Sequence, residues 1–132
     1  MRGMDDFAGR VAVVTGAAGG IGRALALRLA AERASLVVAD VEREALIDTE
    51  RVALAAGANQ VLAVPTDVSD GNAVERLATA AFDRFGAVHV LCNNAGVFQG
   101  GLVWEVTDAD WQWVLGVNLH GMIHGTAPSC RG

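Results

Sequence analysis

The sequence predicts an α/β fold, a doubly wound parallel sheet of about four strands with flanking helices, and three observations carry that prediction. Val11-Ala-Val-Val-Thr15, apolar and mostly β-branched, runs directly into Gly16-Ala-Ala-Gly-Gly-Ile-Gly22 and then into an alanine- and leucine-rich stretch. That order reads as strand, tight loop, helix. Apolar run and amphipathic stretch then go on alternating with short connections, the pattern of right-handed parallel crossovers. Finally, Leu36-Val-Val-Ala39 and Val61-Leu-Ala-Val64 are continuous apolar runs, as strands covered on both faces require. Together these describe a Rossmann-type sheet, incomplete at four strands, in a single domain over residues 1–132.

Taken in order, residues 1–9 read as a leader, with Phe7 docking against the sheet. Residues 10–15 form the first strand and 20–32 the first helix, in which Ile21, Leu25 and Leu29 recur every fourth residue and predict a buried stripe. A second strand covers 36–40. The helix after it, 42–56, is closed by Gly57 at its C-terminal cap. The third strand, 60–65, stops at Pro65. Ser69 or Asp70 caps the next helix, whose Val74, Leu77, Ala81 and Phe85 share a face before Gly86 ends it. The fourth strand spans 88–92, and a loop covers 97–106. Thr107-Asp-Ala-Asp110 then opens, in the manner of a capping box, a last helix with Trp111, Leu115, Asn118 and Met122 on one stripe.

Composition excludes several function classes. The 132 residues are 52% hydrophobic, enough for one buried core. The net charge of −5, the absence of lysine and the scattered arginines speak against a nucleic-acid surface. No apolar run approaches the ~20 residues of a membrane helix. Met1-Arg-Gly-Met-Asp-Asp-Phe7 has no apolar stretch and is no secretory signal. Cys92 and Cys130 supply neither a disulfide framework nor zinc-ligand spacing. The expected compartment is the cytoplasm.

The candidate chemistry lies where strands end. The glycines let the chain turn sharply and bring an anionic pyrophosphate against the first N–H groups of a helix, where the dipole favours negative charge. Gly16-x-x-x-Gly20-x-Gly22 and Gly16-x-x-Gly19-x-x-Gly22 both fit the loop, and the loop alone does not choose. Asp40 ends the second strand about 20 residues on, where a carboxylate accepts hydrogen bonds from the adenosine ribose and repels a 2′-phosphate. That position favours NAD over NADP; a helix-capping aspartate is the plain alternative. Asp67, with Val68 beside it, can accept from an adenine amino group or simply cap a turn. Asn93-Asn-Ala-Gly96 ends the fourth strand, expected beside the first, at the point where ligands bind such sheets. Asn118 puts an amide on the apolar stripe of the last helix and needs backbone, water or ligand partners, since a buried amide without them costs ~1–3 kcal/mol. His120 and His124 stand at i, i+4 without a third ligand, so no metal is expected. Trp104, Trp111 and Trp113 are read as packing residues.

With these residues in place the chain resembles the short-chain dehydrogenase/reductase family. Thr15-Gly-Ala-Ala-Gly-Gly-Ile-Gly22, Asp40-Val41, Asp67-Val68, Asn93-Asn-Ala-Gly96 and Val117-Asn-Leu119 match its motifs in order. The resemblance runs from about Phe7 to about Thr126 and favours the single-domain dehydrogenases over the epimerase-like branch. It implies hydride transfer between NAD(P) and an alcohol or ketone. It also implies cofactor binding by Gly16, Gly19, Gly20, Ile21, Gly22, Asp40, Val41, Asp67, Val68, Asn94, Ala95 and Gly96. A Ser-Tyr-Lys centre is implied as well, helped by an Asn on the long helix that holds a water-linked proton relay, and Asn118 matches that Asn.

The departures from the family are equally specific. The sequence contains no tyrosine and no lysine, so the Tyr-x-x-x-Lys pair is absent and the family's acid–base route is closed to these residues. Where the family's helix continues with Phe-Val/Leu-Pro-Arg-Met, this chain has Ala127-Pro-Ser-Cys-Arg-Gly132. One coding of its last five residues, CCT-TCG-TGC-CGC-GGA, reads from its third base as Phe-Val-Pro-Arg. Residues 127–132 are therefore expected to be a non-native, frameshifted tail. Three readings follow: a truncated dehydrogenase that keeps the cofactor half and is inactive alone, a non-catalytic dinucleotide-binding module, or a non-functional unfolded fragment. In a truncated fold the fourth strand becomes an apolar edge, open to self-association.

Overall fold

Apolar residues with a strand on either side build the centre of one parallel sheet, in the order β3-β2-β1-β4. The structure, a computed structural model, describes residues 6–131. Its elements are β1 (Val11–Thr15), α1 (Gly20–Ala31), β2 (Ser35–Asp40), α2 (Arg43–Ala56), β3 (Gln60–Pro65), α3 (Gly71–Phe85), β4 (Val90–Cys92), α4 (Asp108–Leu115), a π-helical turn (Gly116–His120) and α5 (Gly121–Arg131). The first five leader residues and the side chains of 128–132, Cys130 and most of the expected tail among them, lie outside the described residues.

The alternation of side chains along the strands divides the core in two. Ala12, Val14, Leu36 and Val38 face Ala26 and Ala30 of α1 and Leu46 and Ala53 of α2, with Phe7 packed at the margin as expected. Val13, Val37 and Ala39 face Leu77 and Ala81 of α3 on the other side. Pairing of β4 with β1, through Val13↔Leu91 and Val14↔Cys92, reverses the strand order and opens the crevice expected at such a point. Gly57 and Gly86 close α2 and α3 in the left-handed conformation, Asp70 caps α3, and Thr107 with Asp110 forms a complete capping box.

Four expectations need correction. The buried stripe of α1 is Gly22, Ala26 and Ala30; of the expected Ile21, Leu25 and Leu29, only Leu29 packs against the core, half-buried. Ile21 is 74% exposed, because α1 sits too close to the glycine loop for a large side chain on its inner face. The fourth strand begins at Val90 rather than residue 88. There the His89 imidazole intrudes: its Nδ1 accepts from Val11 N–H at 2.9 Å, while His89 N–H donates to the Val11 carbonyl. The last helix runs unbroken from Asp108 to Arg131 but is not α-helical throughout, since a π turn at Gly116–His120 inserts a residue between α4 and α5. And the tryptophans do not pack as core: Trp104 is 77% exposed, with Trp111 and Trp113 half-exposed.

The π turn has a packing reason. A Cβ on Gly116 would press on Ser69, one on Gly121 would collide with Val68, and one on Gly125 with Asn93. These glycines form one close-packed stripe against the ends of β3 and β4. Their spacing of five and then four residues stays on one face only if the helix absorbs an extra residue between the first two.

Candidate functional site

The β1–α1 loop is held from three directions. Thr15, at the end of β1, is buried, and its hydroxyl accepts from the backbone N–H groups of Asn94 and Ala95, both at 3.1 Å, while donating to the Cys92 carbonyl. The Asn94 amide nitrogen returns the link by donating to the Thr15 and Gly16 carbonyls. One hydroxyl and one amide thus lock the ends of β1 and β4 together. Replacing Thr15 by Val keeps the shape but strands the Ala95 N–H, while the Asn94 N–H keeps only its bond to the Cys92 carbonyl at 2.9 Å. A loss of about 2 kcal/mol in urea unfolding is expected, with Thr15→Ser close to wild type; equal stability of Thr15→Val would refute the lock.

On the opposite side Asp40 reaches back from β2. Its Oδ2 accepts from Ala18 N–H at 3.0 Å and its Oδ1 from Glu42 N–H at 3.1 Å. The carboxylate therefore both steadies the loop and forms the turn into α2, and each oxygen keeps capacity for a further donor. Asp67 behaves similarly after β3, its Oδ1 accepting from Ser69 N–H and Ser69 Oγ–H. The turn role is thus present in both aspartates and leaves lone pairs to spare.

From the third direction comes α2. Thr49, fully buried, donates its hydroxyl to the Ala17 carbonyl at 2.9 Å and lies within 3.2 Å of the Ala45 carbonyl. Sequence reasoning missed Thr49. The available signal was a polar residue between Leu46 and Ala53, on the face of α2 that those apolar residues bury. Outside it, Arg51 and then Arg23 hold the Asp48 carboxyl below the usual carboxylate range, and the Arg23 contact joins α1 to α2.

Structure also chooses between the two glycine spacings. Gly16 (φ +66°) and Gly20 (φ +54°) occupy the left-handed region, and a Cβ on Gly22 would collide with the Gly16 carbonyl and the Asn94 amide. Gly19 is extended, and space around it is open. The constrained set is Gly16-x-x-x-Gly20-x-Gly22. No side chain caps α1 at Gly19, so its N-terminal N–H groups face an opening.

That opening is a trough. One hollow of about 490 Å³ is bounded by Asp40, Val41, Asp67 and Val68 on one wall and Ala95, Gly96 and Val97 on the other. A second, of about 470 Å³, shares Gly16, Asp40, Ala95 and Gly96 with it and extends to Gly19 and Ile21. All but two of the sequence-selected cofactor residues line these hollows; Gly20 starts α1 beside them, and Gly22 lies beneath the loop. Asn118, on the π turn, holds the far end: its Nδ2–H donates to the Val97 carbonyl at 2.8 Å and its Oδ1 accepts from Val97 N–H at 2.7 Å. Its amide has the backbone partners it was expected to need.

The histidines are placed differently. His124 Nδ1–H donates to the Val68 carbonyl at 2.9 Å, and His120 lies with its ring centroid 6.3 Å away. Among the described residues no three His, Cys, Asp or Glu side chains are grouped to hold a metal. Burial pushes the Cys92 thiol up. No helix among the described residues is long and apolar enough to cross a membrane.

Comparison with known proteins points one way. The family model described as short chain dehydrogenase matches residues 10–131. A crystal structure of a short chain dehydrogenase/reductase from Burkholderia phymatum in complex with NAD superposes with a TM-score of 0.93 at 49% identity, over 97% of this chain and 45% of that one. A metagenomic short-chain oxidoreductase in complex with NADP superposes with a TM-score of 0.89 at 34% identity, over 96% of this chain and 57% of that one. The 1-deoxy-11-beta-hydroxypentalenate dehydrogenase of Streptomyces arenae is 50% identical over 111 residues, 83% of this chain and 39% of the relative. The chain spans less than half the length of that curated relative.

Proposed function

The chain belongs to the short-chain dehydrogenases, and from that membership we propose that its trough holds NAD, within an oxidoreductase that moves a hydride between NAD and a small alcohol or ketone. The observation that carries this reading is the conjunction of an uncapped, sterically open α1 N-terminus at Gly19 and Gly20 with a carboxylate at Asp40 in the same trough. Backbone N–H groups at Gly20 and Ile21 suit a pyrophosphate, Asp40 suits the ribose hydroxyls, and Asp67 and Val68 suit the adenine. Ala95 and Gly96 form the facing wall with little side chain to obstruct a planar ligand. NAD supplies a hydride-accepting nicotinamide ring when bound.

Acid–base chemistry is a separate matter. The chain has no tyrosine and no lysine, so we assign these 132 residues the holding of the cofactor and not the proton transfer. Asn118 commits one N–H and one lone pair of its side chain to Val97, which fixes the amide and leaves its second N–H, its second lone pair and its main chain for any part in a proton relay. Calorimetric titration of the chain with NAD should give saturable one-to-one binding, while incubation with NAD and secondary alcohols should form no reduced cofactor. Absence of saturable binding by folded chain would overturn the cofactor reading; turnover would overturn the division of labour.

A further inference from the structure

We propose that Thr49 is a positioning residue of the dinucleotide site, acting through a single peptide plane in the β1–α1 loop. The plane is the one joining Ala17 to Ala18. Its carbonyl accepts from the Thr49 hydroxyl at 2.9 Å, and its N–H donates to Asp40 Oδ2 at 3.0 Å. The preceding N–H, that of Ala17, donates to the Ala39 carbonyl at 3.1 Å. Both ends of one peptide unit are therefore gripped, one by α2 and one by β2, immediately before the open Gly19–Gly20 segment.

The grip matters because the next residues have no side chains to hold them, Gly19 being tied through its carbonyl to the Arg23 N–H at 3.2 Å. A Cβ at Gly19 or Gly20 would meet nothing within 4 Å, and glycine is the residue most free to change its backbone angles. Rotating the Ala17–Ala18 plane would re-aim the N–H groups that follow. Thr49 blocks that rotation from within the core: it is fully buried, on a face of α2 otherwise lined by Leu46 and Ala53. A hydroxyl there serves packing no better than a methyl group would. It serves the orientation of the loop.

The inference rests on the dinucleotide reading, so the test separates the two. Thr49→Val keeps the shape and deletes the donor; Thr49→Ser keeps the donor. Amide hydrogen exchange in the ligand-free chain is the first readout. Ala18 N–H should exchange faster in Thr49→Val, relative to Val13 and Val37 in the strands, and return to wild-type protection in Thr49→Ser. Calorimetry with NAD is the second, where Thr49→Val should bind about fivefold more weakly and Thr49→Ser like wild type. Adenosine, which lacks the pyrophosphate, should bind all three forms equally.

Ala18 exchange that rises only in step with the strands, or NAD affinity unchanged in Thr49→Val, would overturn the positioning role. If Thr49→Ser binds NAD as weakly as Thr49→Val, the hydroxyl is not the cause and the role is likewise overturned. Failure of the wild-type chain to bind NAD would defeat the dinucleotide reading, and the exchange data would still decide whether Thr49 grips the plane.

Discussion

Replacing Gly22 by Ala should weaken NAD binding and the fold together, whereas replacing Gly19 should weaken NAD binding with little effect on the fold. A Cβ on Gly22 would overlap the Gly16 carbonyl, lie 2.5 Å from Asn94 Nδ2 and 2.7 Å from the Gly16 carbonyl carbon. None of these is the free end of a flexible side chain. Gly16 is the turn that starts the loop, and Asn94 is tied to Thr15 and Gly16. The methyl group can enter only by lifting α1 off the loop, at a cost of about 2–3 kcal/mol by comparison with overpacked cores. The same displacement carries away the N–H groups proposed for the pyrophosphate, so NAD affinity should fall at least about tenfold, the equivalent of ~1.4 kcal/mol.

Gly19→Ala is the contrast. Gly19 is extended and faces open space, so Ala fits the backbone, with at most about 1 kcal/mol lost at a helix cap. The new methyl group stands in the trough and should weaken NAD binding without moving the urea midpoint far. Urea unfolding followed by circular dichroism, paired with calorimetry, reads both effects. If Gly22→Ala unfolds like wild type and binds NAD as well, the close approach of α1 to the loop has no functional weight.

The comparison of these glycines shows what was legible in the sequence. Element types, the parallel sheet and the β1–β4 pairing followed from apolar runs broken by glycine and aspartate, because each run is short and bounded. The α1 stripe was misread because hydrophobic periodicity looks for bulk. The face that packs closest is the one with the least bulk, and Gly22, Ala26 and Ala30 share the same four-residue spacing as the larger residues beside them. Similarly, the π turn was hidden by a helical period that was counted as constant. The five-residue interval between Gly116 and Gly121, against the four to Gly125, is its trace in the sequence. Among candidate site residues, the strand-end positions could be found because chemistry collects there. Thr49 was harder to find: a polar residue on the buried face of α2 was its one mark, and its partner is a backbone carbonyl, which leaves none.

Asp40→Ala should shift cofactor preference toward NADP, and the size of that shift depends on which of two tasks the carboxylate performs. As a ribose acceptor it would contribute charge-assisted hydrogen bonds worth about 1.5–3 kcal/mol, so its loss should weaken NAD binding at least about tenfold. Against a 2′-phosphate the same charge is repulsive, at ~1 kcal/mol per charge pair 4 Å apart in water and ~4 kcal/mol at a protein surface. Its removal should therefore improve NADP binding while NAD binding falls. Asp40 also holds Ala18 N–H and Glu42 N–H, however, and loosening the loop would weaken both cofactors alike. Asp40→Asn separates the terms, because an amide oxygen can still accept from Ala18 while the charge is gone. It should raise NADP affinity with less harm to the loop than Asp40→Ala. Salt gives an independent check: repulsion is screened as ionic strength rises, so the preference for NAD proposed for the wild type should narrow in high salt and any preference of Asp40→Asn should not. An NAD-to-NADP affinity ratio that is the same in wild type and both variants would show that Asp40 organises the loop and takes no part in choosing the cofactor.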